Sequence, residues 1–218
     1  MNKSAYIFRE LGHHLPFSIM SVALGLFLAA LLHFITQVAG TPDPSVQFGE
    51  LFHIFHPLHI LFSATATTSM FWQKERAVLK AVLIGIAGSV GICGISDIII
   101  PYLSGMILGV EMHLHVCILE HPLLILPFLL LGLLMGFLTP RGMEKHEGVI
   151  LSHSLHVFIS AAASIMYLVS FGMVNWIEYA GAILIFMVLA VIVPCCTSDI
   201  VFPLLFVRKD LTSANHSH

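Results

Sequence analysis

Long apolar runs separated by short polar segments fill this chain, at about 16–38, 51–71, 77–110, 121–139, 148–170 and 174–207. A hydrocarbon core about 30 Å thick is crossed by about 20 helical residues rising ~1.5 Å each. Every run is long enough, so the pattern predicts an all-α domain over 1–218 with six membrane helices and short connections. The first run is longer than the apolar stretch of a cleaved signal peptide. The third and sixth runs, at about 50 Å if helical throughout, are too long for one straight crossing. Each contains a Ser-Asp pair followed by proline (Ser96, Asp97, Pro101; Ser198, Asp199, Pro203), and a break is expected there. Proline ends or kinks a helix, Ser or Asp caps a new one, and broken helices at membrane depth must be buried or line a cavity.

The pattern is also duplicated. "HPLHILFSATAT" (56–67) aligns without gaps on "HSLHVFISAAAS" (153–164) and matches at six of twelve positions. The matched residues are His56/His153, Leu58/Leu155, His59/His156, Ser63/Ser160, Ala64/Ala161 and Ala66/Ala163. "CGISDIIIP" (93–101) and "CCTSDIVFP" (195–203) share CxxSDIxxP, and His14 precedes "LGL" at 24–26 by the spacing at which His121 precedes "LGL" at 131–133. Apolar chains match one another by chance on Leu, Ile and Ala, but not readily on His, Ser, Cys, Asp and Pro. Two repeats are therefore expected, at about 10–110 and 117–207. Each holds three crossings, an odd number, so the second starts on the opposite side of the membrane. Such inverted repeats recur in transporters, with sites near the midplane where the repeats meet.

Composition agrees with the pattern: 58% of residues are hydrophobic, 10% are charged and the mean hydropathy is +0.97. Soluble domains lie outside that range. With six spans, all nine basic residues (Lys3, Arg9, Lys74, Arg76, Lys80, Arg141, Lys145, Arg208, Lys209) fall on one side. The other side carries Asp43, Glu50, Glu111, Glu120 and Glu178. The positive-inside rule makes the basic side cytoplasmic, with both termini there, and the expected setting is a bacterial inner membrane. The lipid bilayer is then the first partner. A homodimer is a common state for so small a bundle, and no basic cluster or phosphate-cradling loop points to nucleic acid. Four cysteines give no disulfide framework.

Candidate chemistry lies in the repeated polar positions. A charged Asp at a helix centre costs about 2.5–3.5 kcal/mol in a bilayer, so Asp97 and Asp199 are expected to face the bundle interior. They either mark a site or, protonated, hold two helices together. His56 and His59 share a helix face with Ser63 one turn on, and His153, His156 and Ser160 repeat the arrangement; His53 extends the first set by one more turn, without a counterpart. Cys93 with Asp97, and Cys195 with Asp199, share a face of the third helix of each repeat. Imidazole, carboxylate and thiolate suit Zn, Fe, Mn, Co or Ni as divalent ions. The predicted ligands are His56, His59, Cys93, Asp97, His153, His156, Cys195 and Asp199. Ser63, Ser96, Ser160, Ser198, His14 and His121 are accessory polar groups. His59 is expected beside Asp97 and His156 beside Asp199, as two half-sites or, if the third helices break, as one central site. The connection "GVEMHLHVCILEH" (109–121) suits metal capture at a mouth, or is simply a wetted loop.

The run "LGHHLPFSIMSVALGL" (11–26), followed by a Ser-Asp…Pro element, resembles bacterial heavy-metal and manganese exporter families. Those families have more helices, and the resemblance implies movement of a divalent metal. The leading expectation is a secondary transporter or permease for a divalent transition metal, proton-coupled through His and Asp, and not an enzyme. The alternatives are a membrane metalloenzyme of di-iron oxidase or hydrolase type and a bis-histidine haem protein. The HxxH pairs lie within helices of oppositely oriented repeats, which disfavours the enzyme.

Overall fold

The apolar runs become helices that pack through small residues around a mainly apolar core, with a group of polar side chains buried inside it. The computed structural model describes residues 3–40, 43–139, 146–196 and 202–207, and among them all regular structure is helical. The long helices are α1 (Lys3–Val38), α2 (Ser45–Lys74), α3 (Val78–Ile107), α4 (Pro122–Leu138), α5 (His146–Ser170) and α6 (Ala180–Cys196). One helical turn, Cys117–Glu120, precedes α4, and a 3-10 turn, Trp176–Tyr179, leads into α6.

The connections α1–α2, α3–α4 and α5–α6 gather at one end of the bundle. Ser170 Oγ donates to the Ser45 carbonyl (3.1 Å), the His113 N–H donates to the Phe171 carbonyl (2.7 Å), and the His33 ring meets Trp176 edge-on. That end carries Asp43, Glu50, Glu111, Glu120 and Glu178. At the other end Phe71, Ala81 and Ile84 form a small cluster joined by Phe137, Phe202 and Val207, beside Lys74, Arg76 and Lys80. Lys80 pairs there with the buried Glu75 at 2.9 Å, and the Arg76 guanidinium lies 4.5 Å over the Trp72 ring. Arg141, Lys145, Arg208 and Lys209 lie outside the described residues.

Large apolar side chains are exposed on the outer helices, and a polar group is buried within the mainly apolar core. Phe27 on α1, Leu79 on α3, Leu130 on α4 and Ile185 on α6 are 65, 73, 62 and 64% exposed, while His59, Ser63, Thr67, Asp97 and Ser160 are fully buried. The helices with HxxH motifs, α2 and α5, form the centre, and the other four pack around them. Two helical stretches, Leu15–Val38 and Val78–Ile107, are long and apolar enough to cross a membrane. Helix α2 is long enough, but His53, His56, His59 and its Ser/Thr run lower its hydropathy. In α4, α5 and α6 the apolar stretches are shorter: Pro122–Leu138, Ser154–Ser170 and Trp176–Ile192.

The duplication has a counterpart in the packing. Helix α1 packs on α5 and α4 packs on α2, while α2 crosses α5 directly. Each contact maps onto another, or onto itself, when α1, α2 and α3 exchange with α4, α5 and α6. The glycines of the two LGL triplets explain the fit. A Cβ on Gly132 would lie 2.5 Å from the Leu61 carbonyl oxygen and 2.9 Å from the Ala64 methyl. A Cβ on Gly25 would lie 2.9 Å from Ile165 Cδ1 and 3.7 Å from the Ala161 backbone. Ala64 and Ala161 are the matched alanines of the HxLHxxxSAxA element. Each half thus seats its LGL glycine on the histidine helix of the other half, the small-residue contact that helices use where no water drives association.

The third helix differs from expectation. No break occurs at Ser96-Asp97; instead α3 runs on through two π-helical segments, Ala87–Ile92 and Ile95–Ile99. The sequence "AGSVGICG" is poor in helix formers, and three glycines let the backbone widen without opening. π-Turns of this kind concentrate at functional sites, and here they carry Asp97. Pro101 is the second residue of the regular α-helical segment Ile100–Ile107; inside a continuous helix its missing N–H removes a backbone donor, and Ser164 Oγ donates to the Ser96 carbonyl one turn before it. The corresponding pair, Ser198-Asp199, lies outside the described residues.

Gly132→Ala is expected to destabilise the bundle by about 1–3 kcal/mol through overpacking, despite the better helix propensity of alanine. Gly181→Ala, where nothing lies within 4 Å, is the control and should melt like the wild type. Thermal unfolding in detergent, followed by size-exclusion chromatography, compares the two.

Candidate functional site

The buried polar groups of α2, α3 and α5 meet at Asp97. Its Oδ2 lies 2.9 Å from His56 Nδ1 and 2.7 Å from His59 Nδ1. Its Oδ1 lies 2.9 Å from Ser96 Oγ and 3.2 Å from Ser160 Oγ. A carboxylate this deep is tolerated only when its lone pairs are occupied, and four donors occupy them. An ionised carboxylate accepts only, so each histidine presents Nδ1–H to it, and in the neutral imidazole Nε2 then carries the lone pair.

That choice of tautomer aims His59. Its Nε2 lies 2.9 Å from Nε2 of His156, across the contact between the two halves, and 3.6 Å from Cys93 Sγ. His59 Nε2 thus meets an imidazole nitrogen of the other half and a thiol of its own half, with Asp97 behind its ring. Phe52 stacks on His56 with centroids 5.1 Å apart, and Ser164 Oγ ties α5 to α3 by donating to the Ser96 carbonyl (3.1 Å).

Asp97, expected among the metal ligands, has both oxygens held by His56, His59, Ser96 and Ser160 and orients imidazoles. Of the two expected arrangements, two half-sites or one central site, the contact of His59 with His156 joins the repeats at one place, while Asp199, the expected neighbour of His156, falls among residues that are not described. His59 meets His156 because both stand near the middle of their helices, and α2 and α5 pack directly. His59 and Asp97 are neighbours, as expected. Ser63 is buried one turn beyond His59. The side chains of His14, His153 and Cys195, together with Ser198 and Asp199, lie outside the described residues. His121 belongs elsewhere.

A second cluster forms at the acidic end. His53, one turn before His56 on α2, meets His115 and His121 of the α3–α4 connection. One ligand atom from each of the three lies within 4.8 Å of the others, so the trio can hold a metal ion. His53 Nε2 and His115 Nε2 are 3.2 Å apart, and His115 Nδ1 pairs with Glu120 Oε2 at 2.9 Å. Burial pushes the His115 pKa down, and Glu120 partly offsets this. The Val116 N–H holds the Glu120 carboxyl below its ordinary range, with His115 adding to the effect. Burial raises the Cys117 thiol to about 11, so it stays protonated. An open cleft of about 590 Å³, lined in part by His53, Glu120 and His121, lies beside the trio.

The sequence flagged both His53 and the 109–121 connection without joining them. What joins them is the hold of α5 on the connection: the His115 N–H donates to Tyr167 Oη (3.0 Å), and the His115 ring stacks on Phe171 at 4.6 Å. Neither aromatic stands out in sequence, because each reads as an ordinary apolar position.

No protein-family model matches the chain, and neither a curated protein nor a solved structure shows significant similarity to it.

Asp97→Leu should prevent stable folding, since it removes the acceptor shared by four buried donors, at about 1–3 kcal/mol for each one left unsatisfied. Asp97→Asn, which keeps an acceptor oxygen, should fold with a smaller loss. The fraction of monodisperse protein after detergent extraction measures both.

Proposed function

We propose that the chain is an integral membrane permease for a divalent transition-metal ion. In this reading, six crossings form two inverted three-helix repeats, with both termini on the cytoplasmic side. The exposed apolar side chains of the outer helices, the segregation of basic and acidic ends and the exchange symmetry of the helix contacts support that topology. The observation that carries the function is the opposition of His59 Nε2 and His156 Nε2, one from each repeat, beside Cys93 Sγ.

Nitrogen and sulfur donors favour Zn²⁺, Co²⁺, Ni²⁺ or Fe²⁺ over Mg²⁺ and Ca²⁺. An ion between the two Nε2 atoms requires a lone pair on each. Neutral His59 already has one, because Asp97 keeps its proton on Nδ1. His156 must give up or move its Nε2 proton, so metal binding releases a proton or shifts it within the ring. Asp97 in turn gives His59 the carboxylate–histidine support common in metal sites, whose loss lowers affinity or activity about 10–100-fold. A proton relay without metal is the second reading, favoured by the unbroken chain His56–Asp97–His59–His156. Both readings need the two repeats to share the site, which fits a rocking of one repeat against the other.

Zinc or cobalt flux into proteoliposomes, read with an internal metal-sensitive dye, tests the proposal. Asp97→Asn and His156→Gln should each reduce flux at least tenfold while inserting normally. Wild-type flux in both variants overturns it, and proton flux alone selects the relay.

A further inference from the structure

We infer that His53, His115 and His121 form a second metal site, a three-histidine centre for a Zn²⁺-class ion, open to exchange at the acidic mouth of the bundle. It stands apart from the buried group around His59 and does not depend on the transport reading.

His53 on α2 is distant in sequence from the connection that carries His115 and His121, and only the fold brings them together. Tetrahedral zinc with Zn–N distances of about 2.0–2.1 Å places its ligand nitrogens about 3.3 Å apart. His53 Nε2 and His115 Nε2 already stand at 3.2 Å, and the His121 ring, 5.0 Å from that of His53 by centroid, needs only a modest turn. His115 has the outer partner typical of a metal ligand. Its Nδ1 faces the Glu120 carboxylate at 2.9 Å, which fixes the proton there and leaves Nε2 as the donor toward the ion. The ring cannot easily swing away, because Phe171 stacks on it and Tyr167 holds its backbone N–H. One ligand is therefore rigid, on a built platform.

The fourth position is what makes the site exchangeable. His121 and Glu120 are exposed, and the cleft beside the trio admits water or an incoming ligand. Three histidines with one open position form a zinc arrangement distinct from the closed four-ligand structural type. His53 and His59 are six residues apart on one helix, about 9 Å along its axis, with His56 between them. The acidic mouth thus holds its ion two turns above the buried histidines, at the start of a single column of imidazoles.

Cobalt titration of the untagged full-length protein in detergent tests the site, because tetrahedral Co²⁺ has intense visible bands that octahedral Co²⁺ lacks. The His156→Gln background restricts the reading to the outer cluster. There, tetrahedral bands without a thiolate charge-transfer band are expected. Adding His115→Gln and His121→Gln should abolish them. Glu120→Gln, an exposed change that should not disturb folding, should keep the bands and weaken affinity about 10–100-fold. Octahedral spectra only, bands that survive loss of His115 and His121, or unchanged affinity in Glu120→Gln would each overturn the inference. Failure of the buried site appears separately, as wild-type flux in His156→Gln with the outer bands intact.

Discussion

A carboxylate with no access to water organises this protein. Asp97 is completely buried, and the cost of placing its charge there is met by two imidazole N–H groups and two hydroxyls. Those donors come from α2, α3 and α5, so the three helices cannot shift without stranding one of them. The same bonds decide the chemistry. By accepting the Nδ1–H of His59, the carboxylate turns the opposite nitrogen, Nε2, toward His156. Structure and reactivity rest on one set of contacts, which is why the widened backbone of α3 is tolerable. The π-helical stretch at Ile95–Ile99 places Asp97 where α2 and α5 can both reach it.

The two halves are interlocked, not merely adjacent. Gly25 of one half packs on the histidine helix of the other, and Gly132 returns the contact. The central pair, α2 and α5, is thereby clamped between glycine-bearing helices at a separation that brings His59 and His156 within 2.9 Å. A bulkier residue at either glycine would push its own helix away from the histidine helix of the other half.

Much of this was legible in the sequence, for identifiable reasons. The apolar runs gave the helices because length and hydropathy are local properties. The repeat was visible because His, Ser and Asp are rare in such surroundings. Pairing of His59 with Asp97 followed from the need of a buried carboxylate for donors. What sequence could not show was which groups would win its lone pairs. The Ser-Asp-Pro element read as a break, since proline ends or kinks a helix and Ser or Asp caps a new one, yet the three glycines before it allowed a π-helical continuation. The outer trio was hidden because His53 looked like an extra turn of the inner motif, and its link to His115 depends on Tyr167 and Phe171.

The identity of the atoms around a bound ion tests the central claim most directly. X-ray absorption at the zinc edge, on protein carrying His115→Gln and His121→Gln, reads the buried site alone. Two imidazole nitrogens at about 2.0–2.1 Å and one sulfur at about 2.3 Å are expected from His59, His156 and Cys93. A shell of oxygens without imidazole scattering, or no zinc retained, would contradict the assignment of these residues to a metal site.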